Sequence, residues 1–213
     1  SSPKSLKALE KLGHKMVSPV PSLFTFNIKN DALKDLMGTS FPYAEVSIPK
    51  LKMEEGGPLL ITHWGLSGPA ILKLSAWKAR ELADLNYHFD IKVNFMGIDR
   101  DNAEEIFRNF KEENSKKLIG SSKIFDITSR FWHRILWLSK VDLEKSVSNI
   151  SKPELQKILE NLCENTMQVR GKSTFKDEFV TAGGVDLKEI DFKTMQSKVL
   201  ENFYIAGEVL NID

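Results

Sequence analysis

Short alternating runs of apolar and polar residues fill much of the first half of this chain, and longer amphipathic stretches with helical spacing follow them. Leu6, Leu9 and Leu12 recur at helical intervals between lysines, which predicts a short helix over 4–12 closed by Gly13. His14-Lys-Met-Val17 reads as the start of a strand, with His14 an ordinary first residue, and Pro19 and Pro21 are expected to break it. Strand patterns then recur at 24–28, 43–48, 59–62 and 87–95, with Gly38, Pro42, Pro49 and Gly56-Gly57-Pro58 as punctuation. In the last of these, Phe89, Ile91, Val93 and Phe95 share one face, so His88, Asp90, Lys92 and Asn94 face water. Such strands make a small, mostly antiparallel β-barrel. Within them lies Thr62-His-Trp-Gly-Leu-Ser-Gly-Pro69, where Ser67 suits an N-cap and Pro69 a first helical turn, predicting a helix to about 83. Its free N–H groups, with Gly65 and Gly68, offer a place for an electron-rich ligand atom.

Beyond residue 100 the texture is helical and charged. Asp101 and Glu104 form a capping-box pattern for a helix over 103–118 that buries Ile106, Phe107 and Phe110 and ends by Gly120. Phe131, Trp132, Ile135, Leu136 and Leu138 define a second helix, 142–147 a short third, and Ser151-Lys-Pro-Glu154 opens a fourth through Leu155, Ile158, Leu159 and Leu162. Aromatics at this spacing, Trp137 included, read as core, and His133 as solvated. Met167 to Gly171 returns as one more barrel strand. The fold class is therefore α+β: a small antiparallel barrel plus a helical bundle.

Composition narrows the partners. The 30 basic and 29 acidic residues leave a net charge of +1, so no global field draws the chain to nucleic acid or an anionic membrane. The lysines of 111–123 interleave with Glu112 and Glu113. No apolar run is long enough to span a bilayer, and the one cysteine, Cys163, falls in an amphipathic helix as buried filler, which suits a reducing cytoplasm. The four histidines are scattered, so no metal constellation is expected. Gly65-Leu-Ser67-Gly68 does not have the spacing of a serine nucleophile elbow.

The stretch with the densest chemistry is carboxyl-terminal. Val180-Thr-Ala-Gly-Gly-Val185, Lys193-Thr-Met-Gln-Ser-Lys198 and Tyr204-Ile-Ala-Gly-Glu-Val-Leu210 are apolar runs broken by glycine, with a carboxylate directly behind Gly207. Glycine at a strand end lets another molecule approach the backbone. These motifs, with Thr62 to Pro69 and the Lys11-Leu-Gly-His14 to Pro21-Ser-Leu23 pattern, resemble the FAD-dependent oxidoreductases grouped with aminoacetone oxidase and bile-acid-reductase-like flavoproteins.

That resemblance implies an insert domain flanked by pieces of a FAD-binding α/β domain: 1–22 and 177–213 from the FAD domain, 23–100 the barrel, 101–165 the helices, and 166–176 a returning strand. It implies that Thr181, Gly183, Gly184, Ala206, Gly207 and Glu208 lie beside the flavin, Glu208 accepting hydrogen bonds from ribityl hydroxyls. Asn211 departs from an aspartate common there, which argues against a base at that position. Thr62 and His63 are the pair suited to proton transfer beside a flavin. No Gly-x-Gly-x-x-Gly turn occurs, so the dinucleotide clamp is expected in a missing FAD-binding domain of the same chain, and these residues alone are expected to be an inactive fragment. The whole protein is expected to pass a hydride between a small-molecule substrate or NAD(P)H and FAD. The alternative is a non-catalytic module that binds protein or RNA through the barrel and helices.

Overall fold

A computed structural model describes residues 3–29, 31–33, 35–172 and 180–212. In chain order the elements are α1 (Pro3–Lys11), β1 (Met16–Ser22), β2 (Phe26–Asn27), β3 (Ser40–Ile48), β4 (Met53–Ile61), β5 (Gly65–Ser67), α2 (Pro69–Trp77), α3 (Ala79–Asp84) and β6 (His88–Asn94). They continue as α4 (Arg100–Glu113), α5 (Ser129–Leu138), α6 (Lys152–Cys163), β7 (Asn165–Arg170), β8 (Val180–Val185), β9 (Ile190–Asp191) and β10 (Gln196–Ser197). The chain divides into two compact units, one of residues 25–71 and 88–173, the other of the flanking segments and 72–87.

The first of these units is α+β, as its patterning predicts. Six antiparallel strands run in the order β2-β5-β4-β3-β6-β7. The ends almost meet: Phe26 bridges Lys172, and Asn27 donates its backbone N–H to the Gly171 carbonyl at 3.0 Å. Alternation fills the interior with Phe26, Val46, Ile61, Phe89, Ile91 and Val93, all buried, and turns His88, Asp90 and Lys92 outward. Phe131 of α5 joins this core, with its ring 4.8 Å from both Phe41 and Phe95.

Several boundaries differ from the sequence reading, each for a local reason. Gly56, Gly57 and Pro58 are not a loop but part of β4: Phe41 pairs with Leu59 and Ala44 with Gly57, so Pro42 and Tyr43 together face Pro58. This is a β-bulge, where a proline removes no ladder hydrogen bond. Gly56 lies beneath Tyr43, whose Oη would be 2.3 Å from any Cβ there. Ser67 belongs to β5, and the helix begins at Pro69 itself. It breaks at Lys78 (φ −124°, ψ 29°), so α2 and α3 replace one continuous helix.

In the helical part, Asp99 rather than Asp101 caps α4, its carboxylate accepting from Asn102 N at 2.8 Å. The buried stripe therefore follows Ala103 and Phe107, while Ile106 is 40% exposed. That helix stops at Glu113, and Gly120 instead lies buried in a 3-10 turn, Ile119–Ser121. The third predicted helix is reduced to a 3-10 turn, Val147–Asn149, leaving three helices among the described residues of this part. Ser151 and Glu154 form the expected capping box of α6. Trp132 is core and donates Nε1–H to the Ile119 carbonyl at 2.8 Å. Trp137 is 61% exposed instead, with the Arg134 guanidinium 5.1 Å from its ring.

The second unit centres on α1 and the antiparallel pair β1–β8. Pro19 and Pro21 do not break β1. Val17 pairs with Gly184 and Val20 with Ala182, so Ser18 and Pro19 bulge opposite Gly183 and the strand runs on to Ser22. Gly13 (φ +97°) closes α1 as expected. Leu9, Val185, Ile190, Ile205 and Leu210 form this unit's core. Among the described residues no helix is long and apolar enough to cross a membrane.

Candidate functional site

The carboxyl-terminal segment lies against the end of β8 through an isolated bridge. Leu210 forms a parallel bridge with Val185, Val185 N donates to the Val209 carbonyl at 2.8 Å, and Asn211 N donates to the Val185 carbonyl at 3.0 Å. Ile205 and Leu210 are buried at the two ends of this segment. Between them the chain turns outward, so Ala206, Gly207 and Glu208 are all exposed, and Leu210 N closes the turn onto the Gly207 carbonyl at 3.1 Å.

The glycines divide into two kinds. A Cβ on Gly183 would sit 2.8 Å from Pro19 Cα and from the Ser18 carbonyl oxygen, and one on Gly184 would sit 2.3 Å from the Val209 carbonyl oxygen. Their missing side chains are thus accounted for by the chain's own backbone, the first under the β1 bulge and the second under Val209 and Leu210. Gly207, at φ +84°, has nothing within 4 Å of where a Cβ would be. Its left-handed backbone and open surroundings fit close approach by another molecule, with Glu208 as an acceptor beside it. Thr181 pairs with Pro21 at the half-buried end of β8.

Two polar arrangements nearby carried no sequence signal. Arg80 of α3 donates Nη2–H to Asn211 Oδ1 at 2.7 Å and Nη1–H to the Ser18 carbonyl at 3.3 Å, so it fastens the bulge and the carboxyl-terminal segment together. His14, only 3% exposed, has Nδ1 3.0 Å from Glu189 Oε2 and Nε2 3.3 Å from Ser197 Oγ. Ser197 Oγ also accepts from Val199 N at 3.0 Å and Leu200 N at 2.9 Å, so one hydroxyl ties the imidazole to the turn that follows it. The row has the order of a hydrolase triad but not its function, because the hydroxyl is buried and committed to two amides. It holds the end of α1 to the β9–β10 segment. His14 is therefore more than a strand-start residue.

In the barrel unit, Thr62 and His63 occupy the β4–β5 connection. Thr62 Oγ1 accepts from Trp64 N at 3.3 Å and Gly65 N at 3.2 Å, which tightens the turn and leaves His63 and Trp64 exposed on it. The glycines of this motif serve the barrel: a Cβ on Gly65 would be 2.2 Å from the Phe26 carbonyl oxygen, and one on Gly68 2.7 Å from that of Pro58.

Comparison with known proteins fits this architecture. Residues 20–180 match the family described as HI0933-like protein barrel and H2TH domain. The chain is 24% identical to the ribosomal RNA dihydrouridine synthase of Escherichia coli, over all of its own length and 51% of that protein. It is 26% identical to the enzyme of the same name from Haemophilus influenzae, over all of its length and 50% of that protein. It is 21% identical to a 3-dehydro-bile acid delta(4,6)-reductase of Clostridium scindens, over 95% of its length and 50% of the relative. The chain spans about half the length of the curated relatives it matches. With its nearly closed six-stranded barrel and appended helices, the chain belongs to the HI0933-like barrel and H2TH domain family, within the FAD-dependent oxidoreductase superfamily.

Proposed function

We propose that this chain is the barrel-and-helix part, with flanking strands, of a FAD-dependent reductase that saturates a carbon–carbon double bond conjugated to a carbonyl, in a uracil base of RNA. The observation that carries the flavin assignment is the exposed turn at 206–208, with open space over Gly207 and a carboxylate beside it. The names of the relatives supply the reaction class, since a dihydrouridine and a reduced bile-acid delta(4,6) system each arise by adding hydrogen to such a bond. When bound, the flavin would be reduced by NAD(P)H and in its reduced form would supply the hydride. The hydride goes to the β-carbon and a proton to the α-carbon.

In this reading Ala206, Gly207 and Glu208 receive the flavin, Glu208 accepting hydrogen bonds from its ribityl hydroxyls. Thr181, Gly183 and Gly184 hold the strand that supports that turn. His63 delivers the proton, with Thr62 fixing the turn that presents it. The dinucleotide clamp lies outside these 213 residues, because no phosphate-cradling glycine turn occurs in them.

The test uses the full-length protein that contains this chain. It should purify yellow, and under NAD(P)H it should form dihydrouridine in a uridine-containing RNA. Glu208→Ala should lose flavin, and His63→Ala should lower kcat while flavin is retained. A colourless full-length protein, or a Glu208→Ala variant that keeps its flavin, would overturn the flavin assignment. Turnover of a steroid enone with no turnover of RNA would overturn the substrate assignment and favour the small-molecule reading.

A further inference from the structure

Strand alternation places six side chains on the outer face of β6 and β7 in three cross-strand pairs: His88 with Arg170, Asp90 with Gln168, and Lys92 with Thr166. All six are exposed. With Lys50 and Pro49 they line a groove of about 620 Å³. A chain of net charge +1 thus gathers Lys50, Lys92, Arg170 and His88 around one groove against a single carboxylate, Asp90. Among the described residues, Lys50, Lys92 and Arg170 belong to no ion pair. Arg170 is aimed along its strand by a 2.7 Å bond to Gln168 Oε1, which uses one of five donors. On its other side Lys92 also lines a smaller hollow with Glu45, Glu54 and Glu164, so the basic face ends at Lys92 itself.

We propose that this outer face of β6–β7 is a docking surface for the phosphodiester backbone of single-stranded RNA. Residues two apart on a strand repeat every ~6.8 Å, so Lys92 and Arg170, two pairs apart, stand ~14 Å from each other along the strands and present cations to every second phosphate of an extended polynucleotide. Thr166 and Gln168 add hydrogen-bonding groups between them. Phe89 is buried beneath the surface and the one exposed ring among the lining residues is the His88 imidazole, so cations outnumber stacking groups and the face reads mainly backbone charge. The basic segment at 116–123 differs, because Glu112 and Glu113 adjoin it. This inference rests on the RNA reading above and adds the place where the strand outside the active site is held.

The experiment measures fluorescence anisotropy of a labelled single-stranded oligouridylate with the full-length protein over a salt series. Lys92→Glu with Arg170→Glu should weaken binding about tenfold or more. Lys92→Gln with Arg170→Gln should lower the salt slope by about 1.4, at about 0.7 for each phosphate that is no longer neutralised. Lys116→Glu with Lys123→Glu, matched in charge, should bind as the parent does. Equal weakening by the two charge-reversed pairs, or an unchanged salt slope in the glutamine pair, would overturn the groove while leaving the RNA substrate intact. Absence of oligouridylate binding by the parent, or competition by an acidic peptide alone, would overturn both.

Discussion

Gly184 and Gly207 both belong to the carboxyl-terminal motif yet should respond to alanine in different ways. At Gly184 (φ +142°) the added methyl would meet the Val209 carbonyl oxygen at 2.3 Å and Leu210 C at 2.8 Å, both backbone atoms that cannot rotate away. Backbone strain of about 1–3 kcal/mol and overpacking of about 1–3 kcal/mol together give a loss on the order of 3 kcal/mol. For a chain of this size that lowers the melting temperature by about 6–12 °C. At Gly207 (φ +84°) the methyl meets nothing within 4 Å, so only the left-handed backbone is penalised. That costs about 1 kcal/mol, or about 2–4 °C. The assay pairs thermal melts followed by circular dichroism with visible flavin absorbance of the full-length protein. Gly184→Ala should lose stability first, and Gly207→Ala should lose flavin while the fold persists. Equal melting shifts for the two variants would refute the division of the glycines into supporting and ligand-facing positions.

Other expectations follow from local geometry. Asp99→Ala should cost about 1 kcal/mol by removing the cap of α4, whereas Asp101→Ala should change little, as chemical denaturation would show. Lys145, 2.6 Å away, and the backbone N–H of Ser151 hold the Glu154 carboxyl down to about 2. A depressed carboxyl stabilises fully above its ordinary value of 4.5, and that contribution fades as pH falls toward about 2. Glu154→Gln should therefore flatten the acid limb of a stability-versus-pH curve in that window. Burial pushes the Cys163 thiol up to about 11, so the native chain should resist alkylation at mildly alkaline pH and react only once unfolded, by mass spectrometry. His14→Ala should destabilise by about 2–4 kcal/mol in denaturant melts, because it leaves a buried gap and deprives Glu189 and Ser197 of their partner.

Much of the architecture is written in local pattern. The period-two alternation at 89–95, the Ser151–Glu154 box and Gly13 after α1 each act over a few residues, so composition and spacing specify them directly. Pro19 in β1 and Pro58 in β4 misled the local reading because a bulge, which needs a partner strand, removes the hydrogen bond that proline cannot make. The cap of α4 shifted to Asp99 because the buried stripe, set by what the helix packs against, fixes its phase. The carboxyl-terminal motif was legible as glycines and a carboxylate, but their distinct roles were not. Only the folded chain lays Val209 over Gly184 and Pro19 over Gly183 while leaving Gly207 open, because close approach between backbones distant in sequence depends on how strands register and has no signature along the chain. The same holds for Arg80 with Asn211 and for His14 with Glu189 and Ser197, whose partners lie more than a hundred residues away.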